Sequence, residues 1–389
     1  MNKNTLPTIQ QEFQVRYTYQ LLFTQHLFAI ENPMFNNMLA EYRPGYPIKC
    51  LFVVDQGVLD HHPNLGAQIK SYCNNFKNQV QFTDLIAVPG GEQSKKDQSS
   101  VNQCLKAINE NAICRHSFVV AIGGGAVVDM VGYAATIAHR GVKLIRIPTT
   151  VLAQNDAAVG VKNSVNAFDK KNFLGTFSVP YAIINDLEFL KTLEQRDWVA
   201  GIAEAIKVAL IKDKQFFEYI ESNAEALANR EMEPMAYLIH RCAELHMEHI
   251  AEGGDPFESG SSRPLDFGHW SAHKLEYMTN YSLRHGEAVA IGMAIDMVYA
   301  SLTGVLKDDL NRVLHVLKKV GFSLEVPFEK DADIKELLDG IEEFREHLGG
   351  ELTIPLIPEI GRKTDVHSID YDKMEAAVRS FMYKPQNSI

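Results

Sequence analysis

The stretch SFVVAIGGGAVVD, residues 117–129, decides the fold. Its first part, Ser117–Ile122, is a short apolar, β-branched run that reads as a buried strand. Gly123, Gly124 and Gly125 follow at once and open a helical pattern. Glycines at such a corner let backbone N–H groups approach a phosphate closely, and the helix N-terminus adds partial positive charge. The corner therefore suits a pyrophosphate, and Asp129, further along the helix, is placed to accept hydrogen bonds from a nicotinamide or a substrate hydroxyl. Taken alone, it is equally compatible with a tight strand–helix turn that holds no ligand.

Outward from this unit, KCLFVVD (Lys49–Asp55) and KLIRI (Lys143–Ile147, ending at Pro148) read as further buried strands with helical segments between them. Strands that alternate with helices imply a parallel sheet with crossover helices. After Leu187 the pattern turns helical, with long amphipathic stretches at Trp198–Ala228 and Met232–Ile250 and a short extended piece at Glu351–Leu356. The expectation is an α/β domain over residues 1–187 and a mostly helical domain over residues 188–389. Residues before about 35 read as an N-terminal extension or an edge strand.

Acids and hydroxyls sit where an open α/β sheet binds ligands. Asp55 ends a strand, where a carboxylate can hold a ribose hydroxyl and repel a 2′-phosphate, favouring NAD over NADP. PGGEQSK (Pro89–Lys95) offers Glu92 and Lys95 in a turn-rich loop, and IPTT ends a strand in Thr149 and Thr150. Without a ligand these are a solvated charged loop and a polar strand terminus.

Composition narrows the partners. Apolar residues make up 46% of the chain and the formal net charge is -11. That balance fits a globular core and excludes a surface built to wrap nucleic acid. The five cysteines form no CxxC pair, which reads as a reduced, cytoplasmic protein with buried thiols. No signal peptide and no membrane span is legible.

Three helical segments carry metal chemistry. GIAEAIK (Gly201–Lys207) sets Glu204 and Lys207 three apart on one face. Either they form a surface pair, or a carboxylate amid alanine and isoleucine has a metal for a partner. LDFGHWSAHKLE (Leu265–Glu276) spaces His269 and His273 four apart, and RHGEAVAIGM (Arg284–Met293) starts a helix with His285. Two histidines and a carboxylate from three helices would make a three-ligand zinc site with an open position, and the same set could hold iron. Asp156, Lys162, Lys171 and Asn172 gather between the domains in DAAVGVKNSVN and KNFLGTF, suiting a phosphate-bearing substrate.

GGGAVVD, IPTTVLAQNDAAVGVK, KNFLGTF, GIAEAIK, GHWSAH and RHGEAVAIGM occur in the order and spacing of the 3-dehydroquinate synthase superfamily, the sugar phosphate cyclases, which the chain resembles over roughly residues 45–380. The resemblance implies a Rossmann-like NAD-binding domain joined to a helical metal-binding domain, with the site in the cleft. It implies zinc, with cobalt possible, on Glu204, His269 and His285. It implies NAD on Asp55, Glu92, Lys95, Gly123, Gly124, Gly125, Asp129, Thr149, Thr150, Lys171, Phe189 and Thr192. Substrate would meet Asp156, Lys162, Lys171, Asn172, Lys207 and His273. Arg140 matches an arginine that reaches the phosphate in a neighbouring subunit, implying a homodimer. The implied reaction is transient oxidation, phosphate elimination, re-reduction and internal aldol closure to a carbocycle.

Departures from the orthodox pattern share a direction. Asp266 replaces an asparagine and Ser262 an arginine, with Arg263 next door. Two family lysines fall on Glu248 or His249 and on Glu346 or His347. Losing cations and gaining an acid disfavours a substrate carboxylate. The expected substrate is a seven-carbon ketose phosphate without the acid, such as sedoheptulose 7-phosphate. The Asp266 and His347 positions resemble the 2-epi-5-epi-valiolone synthase branch, while His273 is not a mark of it. The alternatives are a divergent 3-dehydroquinate synthase in which Arg263 takes over, an iron- or zinc-dependent alcohol dehydrogenase of the glycerol type, and a non-catalytic NAD-binding protein.

Overall fold

A computed structural model describes residues 8–382 apart from 97, 169 and 258–264, with the side chain of residue 347 also outside the description. The first half runs β1 (Gln20–Thr24), α1 (Met34–Tyr42), β2 (Ile48–Asp55), α2 (Gln56–His61), α3 (Leu65–Asn75), β3 (Val80–Val88), α4 (Ser99–Glu110), β4 (Phe118–Gly123), α5 (Gly125–Ile137), β5 (Lys143–Pro148), β6 (Lys162–Ala167), β7 (Lys170–Phe177) and β8 (Ala182–Asp186). Six of these strands form one sheet in the order β1-β8-β5-β4-β2-β3, and every pairing in it is parallel. β6 and β7 make a separate antiparallel hairpin.

The expected parallel sheet is there, and period-2 alternation explains how its two faces are filled. Cys50, Phe52 and Val54 of β2 join Phe118, Val120 and Ile122 of β4 on one face. Leu51 and Val53 join Val119 and Ala121 on the other, under α4 and α5. Near-continuous apolar runs are what a sheet covered on both sides requires. The N-terminal stretch resolves into an edge strand: Gln20–Thr24 lies parallel to Ala182–Asp186. Four of the five cysteines are buried, and Cys114 is exposed, against the expectation of buried thiols throughout.

The second half runs α6 (Gln195–Ala200), α7 (Ile202–Lys212), α8 (Lys214–Ser222), α9 (Ala224–Ala228), α10 (Met232–Glu252), α11 (His269–Met278), α12 (His285–Leu302), α13 (Leu310–Lys319), α14 (Asp331–His347), β9 (Ile354–Glu359), β10 (Arg362–Val366) and α15 (Tyr371–Arg379). The stretch Trp198–Ala228 is four short helices rather than one. It breaks at Gly201, at Asp213, whose side chain caps α8 by accepting from Phe216 N, and at Asn223. The late extended piece begins at Ile354 and pairs with β10, a strand the sequence reading did not include. Among the described residues, no helix is long and apolar enough to cross a membrane.

Two glycines of α12 set the helical packing. A Cβ at Gly286 would overlap the carbonyl oxygen of Ala200, and one at Gly292 would overlap that of Gly268. The backbone of α12 thus touches both the α6–α7 corner and the turn that starts α11. Overpacking at such a contact costs about 1–3 kcal/mol. Gly292→Ala is expected to lower stability by that amount in denaturant unfolding; a variant as stable as the parent would contradict the close contact.

Candidate active site

The C-terminal ends of β2, β4 and β5 bring Asp55, Gly123, Thr149 and Thr150 together. Gly124 caps α5 and Gly125 begins it. Side chains would not fit here: a Cβ at Gly123 would press on Val127 and Asp55, and one at Gly125 would lie 2.9 Å from the Ala157 Cβ. Asp55 Oδ1 accepts from Gly57 N at 2.8 Å. Burial raises its pKa, opposed by the backbone N–H groups of Gly57, Val58 and Gly124. Thr149 N donates to Gly123 O, and Thr150 Oγ1 accepts from Ala153 N. Glu92 Oε2 is buried with no hydrogen bond among the described residues. Phe189 packs edge-on against His62, whose Nε2 lies 2.9 Å from Thr192 Oγ1. A glycine cradle beside an unpartnered carboxylate oxygen fits a dinucleotide.

Lys95, Asp129 and Asn172 meet in one network around the buried Lys95 ammonium. Lys95 Nζ donates to Asp129 Oδ2 at 2.8 Å and to Asn172 Oδ1 at 2.5 Å. Ser164 Oγ, on β6, lies 3.2 Å from the same Asp129 oxygen and 2.9 Å from Asn172 Oδ1. One hydroxyl proton serves only one of them. Asn172 adopts φ 55°, a left-handed conformation asparagine tolerates better than most residues. The glycine-turn helix and the β6–β7 hairpin are therefore locked together, and Ser164 is a member the sequence reading missed.

Glu204, His269 and His285 converge from α7, α11 and α12, with ligand atoms all within 4.8 Å of one another. Nδ1 of His269 lies 3.1 Å from the Phe267 carbonyl, which can only accept. Nδ1 of His285 lies 3.1 Å from Glu276 Oε2. Nδ1 of His269 therefore carries a proton, and both rings turn Nε2 toward Glu204 Oε1, at 3.8 Å and 3.4 Å; burial opposes charge on His285, but Glu276 and Glu204 outweigh it and raise its pKa to about 9. Ligands about 2.0–2.1 Å from a tetrahedral zinc sit about 3.3–3.4 Å apart. Both carboxylate oxygens of Glu204 are buried; Oε2 is ion-paired with the Lys207 ammonium, and Oε1 has no hydrogen bond among the described residues. That oxygen faces two imidazole nitrogens, and the donor set suits zinc. Burial opposes the charge on Lys207, but Glu204 and Asp156 outweigh it and hold its ammonium above the usual lysine range. Burial and the nearby Lys207 ammonium push His269 down to about 3, so its ring is neutral, as a ligand must be.

An ionic chain then crosses the cleft. Lys171 Nζ, on β7, donates to Glu276 Oε1 at 2.9 Å and lies 3.8 Å from Glu92. Glu276 pays its desolvation through His285 and Lys171, which hold its carboxyl far below the usual range. His273 stands beside it on α11, its ring 6.2 Å from that of His285. Glu276 lay in the quoted LDFGHWSAHKLE segment, three residues after His273, and that spacing was the signal for it.

The turn before His269 is fixed from below. Gly268 has φ 77°, and its N–H donates to Asp296 Oδ2 at 3.0 Å, while Trp270 Nε1 donates to Oδ1 at 2.8 Å. Asp296 is fully buried, and desolvation raises its pKa to about 7. A lone acid in the otherwise apolar AIDMVYA was the clue in the sequence.

Of the remaining assignments, Asp156 Oδ1 lies 2.9 Å from Nδ1 of His246 on α10, and Asp266 lies within electrostatic reach of Lys207. Lys162 starts β6 and is exposed. Glu248 is exposed on α10, near enough to Lys212 to raise its pKa against burial. Glu346 is exposed in the last turn of α14. Ser262, Arg263 and the His347 side chain lie outside the described residues. Arg140 is exposed in the turn before β5, at the opposite end of that strand from Thr149.

The family model described as 3-dehydroquinate synthase N-terminal matches residues 85–200, and that described as 3-dehydroquinate synthase C-terminal matches residues 201–343. The chain is 35% identical over 303 residues to a 3-dehydroquinate synthase of Aliivibrio fischeri, covering 77% of this chain and 81% of that one. It is similar to the structure of a 2-epi-5-epi-valiolone synthase from Streptomyces hygroscopicus with NAD+ and Zn2+ bound: TM-score 0.85, 28% identity, covering 96% of this chain and 99% of the other. A 2-deoxy-scyllo-inosose synthase complexed with carbaglucose-6-phosphate, NAD+ and Co2+ shares the fold: TM-score 0.75, 22% identity, covering 93% and 96%.

His269→Ala is expected to abolish zinc binding in metal analysis after dialysis while the sheet domain stays folded. Glu276→Gln, which loosens the hold on His285, should weaken zinc about 10–100-fold in chelator competition. Full zinc content in His269→Ala would refute the ligand assignment.

Proposed function

We propose that this chain, which belongs to the 3-dehydroquinate synthase family, is a sugar phosphate cyclase whose substrate is a seven-carbon ketose phosphate lacking a carboxylate, with sedoheptulose 7-phosphate as the specific choice. The observation that carries the substrate assignment is the charge inventory of the cleft. Lys95, Lys171 and Lys207 are each bound to a carboxylate of the protein itself, and Asp156 and Asp266 add further negative charge around Lys207. An entering carboxylate would have to compete with these acids for cations already engaged. Polyol hydroxyls meet no such obstacle.

Glu204, His269 and His285 would hold zinc, or cobalt in its place, and the glycine cradle with Asp55, Glu92, Lys95 and Asp129 would hold NAD. The chemistry these groups supply when bound is a Lewis acid for a carbinol oxygen and a reversible hydride acceptor. Lys207 keeps Glu204 ionised for its ligand role. Lys207 and Asp156 are set to hold substrate hydroxyls next to the metal ligands. Lys171, bound to Glu276, ties the hairpin to α11. Lys162 and an Arg140 from a second copy would take the phosphate. The six residues of β5 span about 20 Å, too far for Arg140 to serve its own chain's site, which favours a homodimer. Four buried, unpaired cysteines fit the reducing cytoplasm.

A second reading, an orthodox 3-dehydroquinate synthase, is favoured by the 35% identity to such enzymes. Phosphate release with zinc and NAD present separates the two. Release from sedoheptulose 7-phosphate and not from 3-deoxy-arabino-heptulosonate 7-phosphate is expected; the reverse preference would establish the second reading. For the dimer, Arg140→Ala and His269→Ala, each inactive alone, should recover activity when mixed and allowed to exchange subunits. No recovery would exclude a shared site.

A further inference from the structure

Arg146 of β5 is fully buried, yet nothing in the metal, nucleotide or substrate assignments uses it. Its Nη1 donates to the carbonyls of Ala158 at 2.7 Å and Gly160 at 2.5 Å. Its Nη2 donates to the carbonyl of Lys162 at 3.3 Å and to Asn163 Oδ1 at 2.8 Å. The hydroxyl of Tyr19, just before β1, donates to the Val159 carbonyl at 3.3 Å. These oxygens belong to the connection from the helical turn Ala153–Ala157, which carries Asp156, to Lys162 at the start of β6. A buried connection outside helix and strand must find partners for its backbone oxygens elsewhere. Here an arginine of the sheet and a tyrosine of the N-terminal stretch supply them. Asn163 is pinned as well, because a Cβ on Gly132 of α5 would overlap its Oδ1. The connection is therefore held against β5 and against the glycine-turn helix.

The charge on Arg146 has no acid against it. Each of its hydrogen bonds among the described residues ends on a neutral oxygen, a carbonyl or a carboxamide. Burial lowers its pKa to about 10 against the pull of Asp129, so the guanidinium is charged at neutral pH. A buried cation without a carboxylate partner is costly to keep. Lys162 brings a second positive charge, exposed at the far end of the same connection, and Arg146 bonds the carbonyl of that residue. Two cations joined in this way favour an anion.

We infer that Arg146, assisted by Tyr19, is a positioning residue of the phosphate subsite: it braces the connection over residues 158–163 so that Lys162 meets the phosphate of the sugar. This deepens the reading of Lys162 as a phosphate ligand and rests on it. It also gives the N-terminal stretch a part in the site, through a hydroxyl that touches no ligand.

The test titrates inorganic phosphate into full-length enzyme loaded with zinc and NAD, by calorimetry, so that no turnover is needed. Arg146→Lys keeps the charge but loses the planar fork that reaches several oxygens at once. It should weaken phosphate about tenfold. Tyr19→Phe, which keeps the ring and removes one hydroxyl, should weaken it about threefold and serves even where Arg146→Lys does not fold. Lys162→Ala should weaken it about tenfold or more. The double variant should bind phosphate no worse than Lys162→Ala alone, to within about twofold, because Arg146 acts through Lys162. NAD affinity and zinc content should stay parental in Tyr19→Phe and Arg146→Lys. In turnover these two should raise KM for the sugar phosphate more than they lower kcat. Parental phosphate affinity in folded Arg146→Lys and Tyr19→Phe would overturn the inference. So would effects of Arg146→Lys and Lys162→Ala that add in full, or a loss of melting temperature that weakens NAD and phosphate alike, which would make Arg146 a packing residue. Parental affinity in Lys162→Ala would overturn the phosphate reading of Lys162, and the inference with it.

Discussion

A buried carboxylate held by cations, with no hydrogen bond to its Oε1 among the described residues, is the constraint on which the helical domain is organised. Glu204 sits on an otherwise apolar helix, sealed from water, with Lys207 one turn on and two imidazoles facing it. Leaving such a group ionised in a protein interior costs several kcal/mol unless cations surround it. The helices that supply them come close enough only because glycine stands at their contacts, at Gly286 against Ala200 and at Gly292 against Gly268. Outside the trio, a second layer aims it: the Phe267 carbonyl for His269, Glu276 for His285, and Asp296 beneath the turn between Phe267 and Trp270.

The same electrostatics joins the two domains. Lys171 on the hairpin of the sheet domain ends on Glu276 of the helical domain, and the chain continues through His285 to Glu204. On the sheet side, Lys95 ties the glycine-turn helix to that hairpin through Asp129 and Asn172. Nucleotide cradle, hairpin and metal ligands are thus linked by contiguous charged contacts.

Much of this was legible in the sequence, for physical reasons. Apolar strands buried on both faces leave uninterrupted runs such as LFVV and FVVAI, and a glycine corner between strand and helix has few substitutes. Residues on one helix face repeat at three- and four-residue spacings, so Glu204 with Lys207 and His269 with His273 stood out. The rest was hidden because its signal is tertiary. Gln20–Thr24 is a half-buried edge strand with no alternation to mark it. His246 lies on an amphipathic helix where one more polar residue is unremarked, and only the approach of Asp156, 90 positions earlier, gives it meaning. Helix breaks at Gly201, Asp213 and Asn223 were masked by an apolar pattern that continues across them.

We propose a redox-neutral cyclisation in a metal-dependent cleft. The most direct measurement follows phosphate release and nicotinamide absorbance together, over many turnovers, in one sample of zinc-loaded enzyme with sedoheptulose 7-phosphate and a catalytic amount of NAD. The account predicts phosphate far in excess of NAD, with no net NADH. NADH accumulating in step with substrate consumption, and no phosphate released, would contradict it and make the protein a dehydrogenase.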